Sequence, residues 1–341
     1  MNLFNRDYST EDIRKYFGSL EQLAGMRKYS FSQGKAKNVE VVEFRTGSGL
    51  RFEVLVDRGL DIGLCEFKGI PISFRSAVGE ASPFLFEAEG DQWFRNFSGG
   101  LLTGCGLTYL GAPDIDQGQE LGLHGRISNI PAESVSTFEE KDEESVFFNL
   151  KGRVRETKTL STNLLLERTI SAELGKNKIS IHDTITNVGF TKEPLMFLYH
   201  INLGHPLVDK GTKLHSDSLN VQARDDISAR YLSNYENYLG PTPDYPDVVF
   251  YHDIRENKDG FCEVSLKNTK LGLAFKLKYR KDNLPNFVQW KYTNQGNYVT
   301  GLEPSNSKVE GRSKAREEKE LEYIEPGEHK EYFLEMSIEE L

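Results

Sequence analysis

Apolar residues along this chain recur in strict alternation or in short unbroken runs, the patterns that half-buried and fully buried strands produce. The clearest case runs from Leu164 to Glu173, turns at Gly175-Lys176-Asn177 and returns along Ile179, Ile181, Asp183 and Ile185. On the return strand Ser180, His182, Thr184 and Thr186 line one face, and Asp183 is the only polar residue on the other, which predicts burial on one side. Another hairpin is predicted from Val39 to Phe44 and from Leu50 to Val56, because β-branched and aromatic residues flank Thr46-Gly47-Ser48-Gly49. Further strands are predicted for Ser145 to Leu150, Leu195 to His200, Val248 to His252, Cys262 to Leu266, Leu271 to Tyr279, Phe287 to Tyr292 and Tyr298 to Leu302. A last one, Tyr332 to Ile338, returns into the sheets after the turn Glu325-Pro326-Gly327-Glu328. Helix signals are confined to the N-terminus, where Ser9-Thr10-Glu11-Asp12 followed by Ile13, Tyr16 and Phe17 has the form of a capped short helix, with Leu20 and Leu23 extending its apolar face. So many short strands beside one short helix predict an all-β fold, a large antiparallel sandwich.

Composition narrows the picture. No Pro-, Gly- or Ser-rich linker, repeat or low-complexity tract divides the 341 residues, so one domain over residues 1–341 is expected. With 52 acidic against 42 basic residues and a formal charge of -10, a nucleic-acid backbone is not the expected partner. No apolar run reaches the roughly 18 residues of a membrane span. Met1-Asn2-Leu3-Phe4-Asn5-Arg6-Asp7 lacks a signal-peptide core, so a cytoplasmic location away from membranes is expected. Cys65, Cys105 and Cys262 are odd in number, far apart and without CxxC spacing, as buried thiols would be.

Three polar residues stand in segments otherwise built for burial: His124 in Gly122-Leu123-His124-Gly125-Arg126, His200 at the end of Leu195-Met196-Phe197-Leu198-Tyr199, and Glu303 in Thr300-Gly301-Leu302-Glu303-Pro304. Burial raises a carboxyl pKa and lowers an imidazole pKa toward a common range, so these groups gathered in one cleft could divide acid and base duty near neutral pH. Candidate substrate contacts are Arg75 and Arg126 as hydroxyl donors, His252 and Asp253 at a strand end, and Gln289, Trp290 and Lys291. The Trp290 indole is a natural platform for the C–H face of a sugar ring. Each candidate also has an ordinary reading, as a paired surface charge, a loop residue or a core aromatic. His200 and His205 would diverge on a strand and have no third ligand at suitable spacing, so no metal is expected. The glycines from Ser98 to Leu107 match neither GxGxxG nor a P-loop, so no nucleotide cofactor is expected, and no Gly-x-Ser-x-Gly elbow supports a serine nucleophile.

Taken in order, several segments are similar to the aldose 1-epimerase, or galactose mutarotase-like, superfamily, and in particular to its DUF4432 branch. They are Gly99-Gly100-Leu101-Leu102 with Cys105-Gly106-Leu107, Leu123-His124-Gly125-Arg126, Tyr199-His200-Ile201-Asn202, Val249-Phe250-Tyr251-His252-Asp253, Gln289-Trp290-Lys291 and Gly301-Leu302-Glu303-Pro304-Ser305-Asn306. The resemblance implies a β-supersandwich with a sugar cleft on one concave face. It also implies roles: a glutamate matched by Glu303 takes the proton of the anomeric hydroxyl, a histidine matched by His200 protonates the ring oxygen, and one matched by His124 assists there. The ring opens, the C1–C2 bond rotates, and reclosure gives the other anomer without a cofactor. The chain departs from the mutarotase pattern in two places. The aromatic pair usual before Asn-Leu is missing, since the chain reads His200-Ile201-Asn202-Leu203, and the aspartate that holds sugar hydroxyls has two candidates, Asp247 and Asp253. The expected function is therefore a mutarotase acting on a monosaccharide or derivative, with a small-molecule sugar as partner and a homodimer as a compatible assembly. The competing expectation is a non-catalytic sugar-binding or sensing protein with the same cleft.

Overall fold

Residues 2–4 and 6–341 are described by a computed structural model, and Met1 and Asn5 lie outside the described residues. Two large antiparallel sheets carry the architecture. One has eight strands in the order Glu133–Lys141, Val146–Thr157, Asn163–Glu173, Lys178–Asn187, His329–Glu340, Leu273–Arg280, Phe261–Asn268 and Lys213–Ser216. The other has eleven, five of which build the site: β1 (Leu102–Leu107), β2 (Met196–Gly204), β3 (Val248–Ile254), β4 (Asn286–Asn294) and β5 (Asn297–Ser305). They lie side by side as β3-β4-β5-β2-β1, and the sheet continues past β1 through Asp61–Phe67, Leu50–Leu55, Glu40–Arg45 and Gly25–Ser30. An apolar cluster fills the space between the sheets, with Phe44, Phe52 and Phe197 from one side meeting Phe148, Ile181 and Leu334 from the other. Each such buried side chain contributes about 1.5–3 kcal/mol. The chain is thus an all-β antiparallel sandwich with a short N-terminal helix, as its sequence pattern predicts.

Strand β2 explains why its sequence is apolar without alternation. Phe197, Tyr199, Ile201 and Leu203 enter the core between the sheets, while Met196 and Leu198 enter a second cluster on the opposite face with Cys105, Val249, Val288 and Val299. Loops carrying Trp93, Phe97 and Tyr109 cover that second cluster. Both faces of the strand are therefore dry, and every one of its residues is buried.

The polar outlier of the predicted hairpin, Asp183, is fully buried and takes a two-pronged contact from Arg168, with Nε to Oδ1 at 2.9 Å and Nη2 to Oδ2 at 2.7 Å. Tyr199 of β2 donates its hydroxyl to the same carboxylate at 2.7 Å, which ties the two sheets together. Asp61, 3.9 Å from Arg168 Nη1, accepts the Gly104 N–H at 2.8 Å, and burial pushes its carboxyl up to about 7 against the pull of Arg168.

Some local expectations need correction. The N-terminal helix, Thr10–Tyr16, has its Ser9–Asp12 capping box but stops at Phe17, just before Gly18. Leu20 belongs to a separate 3-10 turn, Leu20–Gln22, rather than to an extended helix face. Helices also occur elsewhere, at Asp226–Ala229, capped by Asp225, and at Arg312–Glu317, where Arg312 and Arg316 both bind Asp116. Neither has a long apolar face to reveal it. All three cysteines are buried and free. Among the described residues no helix is long and apolar enough to cross a membrane.

Candidate active site

Strand register gathers the site. Glu303 on β5 lies opposite Val288 on β4, and Thr103 on β1 lies opposite His200 on β2. The pairing of Leu198 with Ser305 and of Ile201 with Leu302 sets His200 across from Glu303. Side chains of these positions share the face turned away from the inter-sheet core. In the next row Trp290 stands opposite Gly301 and Val249. The Glu303 carboxylate folds back over Gly301, where an added Cβ would stand 2.0 Å from Oε1. Glycine is thus what lets the acid lie flat on the sheet.

His124 reaches the same face from a loop. Its backbone is left-handed, with φ of 56°, and is pinned on both sides: its N–H donates to the Gly111 carbonyl at 2.9 Å and its carbonyl accepts from the Gly106 N–H at 3.1 Å. Gly125 follows so closely on β1 that a Cβ would meet the carbonyl oxygens of Tyr109 at 2.4 Å and Gly106 at 2.5 Å. Glu156, from the eight-stranded sheet, steadies this floor by accepting the Leu107 N–H at 2.7 Å and the Thr108 hydroxyl at 2.6 Å.

The result is a cavity of about 270 Å³ lined by His124, His200, Glu303, Trp290, Trp93 and Asp247 among others. His200 Nε2 and Glu303 Oε1 are 3.3 Å apart but not aligned for a hydrogen bond, and Oε1 has no other partner. Nδ1 of His124 and Nδ1 of His200 are likewise buried without partners. The two imidazoles meet edge to face with centroids 5.6 Å apart. Trp93 lies 4.8 Å from His124, and Trp290 lies 5.4 Å from His200. At the rim, Asp247 accepts the Trp290 indole N–H at 2.5 Å and an Arg224 N–H at 2.8 Å.

Electrostatics follow from the dryness. Burial pushes Glu303 well above the usual carboxylate range, and the Asp247 charge adds to the shift. Burial pulls His200 down to about 4 and, with repulsion from His200, pulls His124 down to about 3. All three shifts favour neutral groups. Both members of the Glu303–His200 pair are thus biased toward their neutral forms, a carboxyl proton beside an imidazole, 3.3 Å apart.

Of the residues singled out from sequence, Glu303, His200, His124 and Trp290 come together here. Asp247 lines the cavity, whereas Asp253 is exposed and pairs with Lys281 at 2.8 Å. His252, Gln289 and Lys291 are corrections, because they project from the other face of the sheet. His252 bonds Ser218 and Gln289, Gln289 bonds Tyr235 and Tyr238, and Lys291 donates to the carbonyls of Asn234, Tyr235 and Asn237. The reason is the two-residue strand period: with Trp290 facing the cavity, Gln289 and Lys291 cannot. Arg75 is also misplaced, since it reaches Glu80 with bonds of 3.0 and 2.6 Å on the surface. Arg126 is exposed, with its guanidinium 5.9 Å from the Phe86 ring centroid.

Trp93, Phe97 and Arg224 were missed. Trp93 had a signal, being one of two tryptophans and standing in the aromatic run Trp93-Phe94-Arg95-Asn96-Phe97. Arg224 had none, because its place depends on Asp225 and Asp247 holding it. A larger hollow of about 580 Å³ lies over the eight-stranded sheet, lined by residues such as Ser265, Lys276 and Ser337, but no buried unpartnered polar atom points into it. Among the described residues no group of three or more His, Cys, Asp or Glu is placed to hold a metal ion.

The fold defines a class, the galactose mutarotase-like β-sandwich proteins. The chain belongs to the DUF4432 family, described as a domain of unknown function, whose family model matches residues 36–338. Among solved structures it is similar to one from Klebsiella pneumoniae subsp. pneumoniae MGH 78578 described as "a putative aldose 1-epimerase", with a TM-score of 0.88, 22% identity and coverage of 92% of this chain and 83% of that one. It is also similar to galactose 1-epimerase from Lactobacillus acidophilus NCFM, with a TM-score of 0.61, 12% identity and coverage of 93% and 99%. A galactose mutarotase-like protein from Clostridium acetobutylicum aligns with a TM-score of 0.60, 12% identity and coverage of 94% and 100%. At these identities the likeness is one of fold. No curated protein matches the chain.

Proposed function

We propose that this cavity is the active site of an aldose 1-epimerase, a mutarotase that interconverts the anomers of a monosaccharide or a derivative of one. The observation that carries the reading is the Glu303–His200 pair, 3.3 Å apart and buried, with unpartnered polar atoms around it. A buried acceptor without a partner costs about 1–3 kcal/mol, so a ligand that supplies hydroxyls is favoured there. The volume, about 270 Å³, lies just under the roughly 300–1,000 Å³ of drug-sized pockets, which suits one reacting ring.

The pair's single proton supplies an acid and a base together. With the proton on His200, the Glu303 carboxylate takes the proton of O1 while the O1 electron pair forms the carbonyl, the C1–O5 bond breaks, and O5 takes its proton from the His200 imidazolium. Rotation about C1–C2 presents the other carbonyl face, and the same transfers run backward to close the ring. His124, neutral and edge-on to His200, assists at O5. Each positioned proton transfer is worth about 100- to 10,000-fold.

Replacing Glu303 by Gln is expected to lower catalysed equilibration of a pure α-anomer, followed by polarimetry, by at least the lower end of that range while sugar binding by calorimetry persists. Full activity in this variant would remove Glu303 from the role. Wild-type protein that binds sugars without accelerating their mutarotation would be a binding or sensing protein instead.

A further inference from the structure

A second cavity of about 480 Å³ adjoins the first, and Phe94, Phe97, Trp290 and Asp247 belong to the walls of both. Its other walls include Phe74, Val78, Tyr292 and Val299, so it is mainly apolar. Tyr292 follows Trp290 by two positions on β4, and their rings lie nearly parallel, 9° apart with centroids separated by 6.1 Å. The two rings form one aromatic strip running out of the reaction cavity into the second. Asp247 and Asn297 stand on that second wall with oxygen and amide groups able to meet hydroxyls. Among its described lining residues none is basic, and Arg224 in the first cavity is committed to Asp225 and Asp247.

From this we infer that the substrate carries a second, uncharged sugar ring, which rests on Tyr292 while the reducing ring reacts over Trp290. The inference rests on the proposed epimerase reading. It follows from chemistry as well as shape. Ring opening needs a free hydroxyl at C1, so an aryl or alkyl group attached at O1 would block the reaction, and the extension joins the reducing ring through another oxygen. An alkyl chain would cover the aromatic strip but offer nothing to the Asn297 amide or to the Asp247 lone pairs that Trp290 and Arg224 leave open. A phosphate or carboxylate would meet Asp247 with no free cation nearby. A pyranose, with an apolar face and a hydroxyl edge, satisfies both kinds of wall. The substrate class is therefore a reducing disaccharide or longer reducing oligosaccharide.

The test compares mutarotation of glucose and galactose with that of maltose, cellobiose, lactose and melibiose, and repeats it in Ala77→Trp. Ala77 is an exposed residue on the second wall, so the bulky side chain fills that cavity without entering the core. At least one disaccharide is expected to exceed both monosaccharides tenfold or more in kcat/KM, and Ala77→Trp is expected to erase that advantage while leaving the monosaccharide values unchanged. Equal values for all six sugars in the wild type, or equal effects of Ala77→Trp on both groups, would overturn the inference and leave the epimerase reading intact. Binding to E303Q, measured by saturation-transfer NMR, separates the two failures. If no sugar is equilibrated but a disaccharide binds more tightly than glucose and Ala77→Trp weakens it, the catalytic reading falls and the subsite stands. If no disaccharide outbinds glucose, the subsite falls.

Discussion

At the scale of single residues, the proposed epimerase reaction depends on one proton shared by two groups, and pH tests that directly. A pair holding one proton is competent. It fails in acid when His200, pulled down to about 4, takes a second proton, and in alkali when the shared proton leaves a carboxyl held far above its usual range. The kcat/KM for an aldose is therefore expected to stay flat through neutral pH and fall on the acid side near pH 4, below the value of about 6.5 for a free imidazole. A limb near 6.5 would mean that His200 titrates as though solvated. Gly301 offers a steric test of the same pair. Gly301→Ala places a methyl group 2.0 Å from Glu303 Oε1, so the carboxylate must swing away. Activity is expected to fall tenfold or more with the melting temperature little changed, because displacement of a reacting group by about 1 Å can cost about 100-fold. Glu303, His200 and His124 were legible as candidates because polar groups in an apolar or glycine context need a reason. Gln289 and Lys291 were misread although the period-two rule, applied outward from Trp290, already excluded them.

At the scale of elements, alternation announced the strands with one wet face and apolar runs announced β2 and β5, whereas a strand twice interrupted by glycine did not announce itself. The hairpin predicted from Leu164 to Ile185 stands at Asn163–Glu173 and Lys178–Asn187, and even its polar exception was visible. Strand β1 was not among the predicted strands, because its glycines serve neighbours that sequence cannot reveal: a Cβ on Gly104 would stand 3.3 Å from an Ile127 methyl and 3.4 Å from Asp61. The exception at Asp183 has an energetic consequence. Asp183→Ala would leave the Arg168 guanidinium and the Tyr199 hydroxyl buried between the sheets without their main partner. Breaking such a pair on one side costs about 3–5 kcal/mol, whereas an apolar replacement of both charges can be neutral. Urea unfolding is expected to show a loss of that order for Asp183→Ala and recovery of most of it in Arg168→Met with Asp183→Leu. A single mutant as stable as the wild type would mean that Asp61, 3.9 Å away, suffices as counter-charge.

At the scale of the whole molecule, one sheet backs and the other bears the site, and the long-range field is acidic. The net charge of -10 and the Asp247 carboxylate at the rim both oppose an anionic substrate, and the cavity's arginine is already paired. Neutral and charged forms of one sugar should then separate in a salt-dependent way. Glucose 6-phosphate is expected to be equilibrated at least tenfold more slowly than glucose, in kcat/KM, when the Debye length is long, about 30 Å at 0.01 M salt. Raising the salt to 0.15 M shortens that length to about 8 Å, which screens the field of the whole chain but hardly touches a charge at the rim. The gap should narrow by the long-range part and persist by the part due to Asp247, while the rate with glucose stays constant. Faster handling of the phosphate at either ionic strength would mean that Arg224 is released from Asp247 to meet the anion, and that the rim exchanges partners when substrate enters.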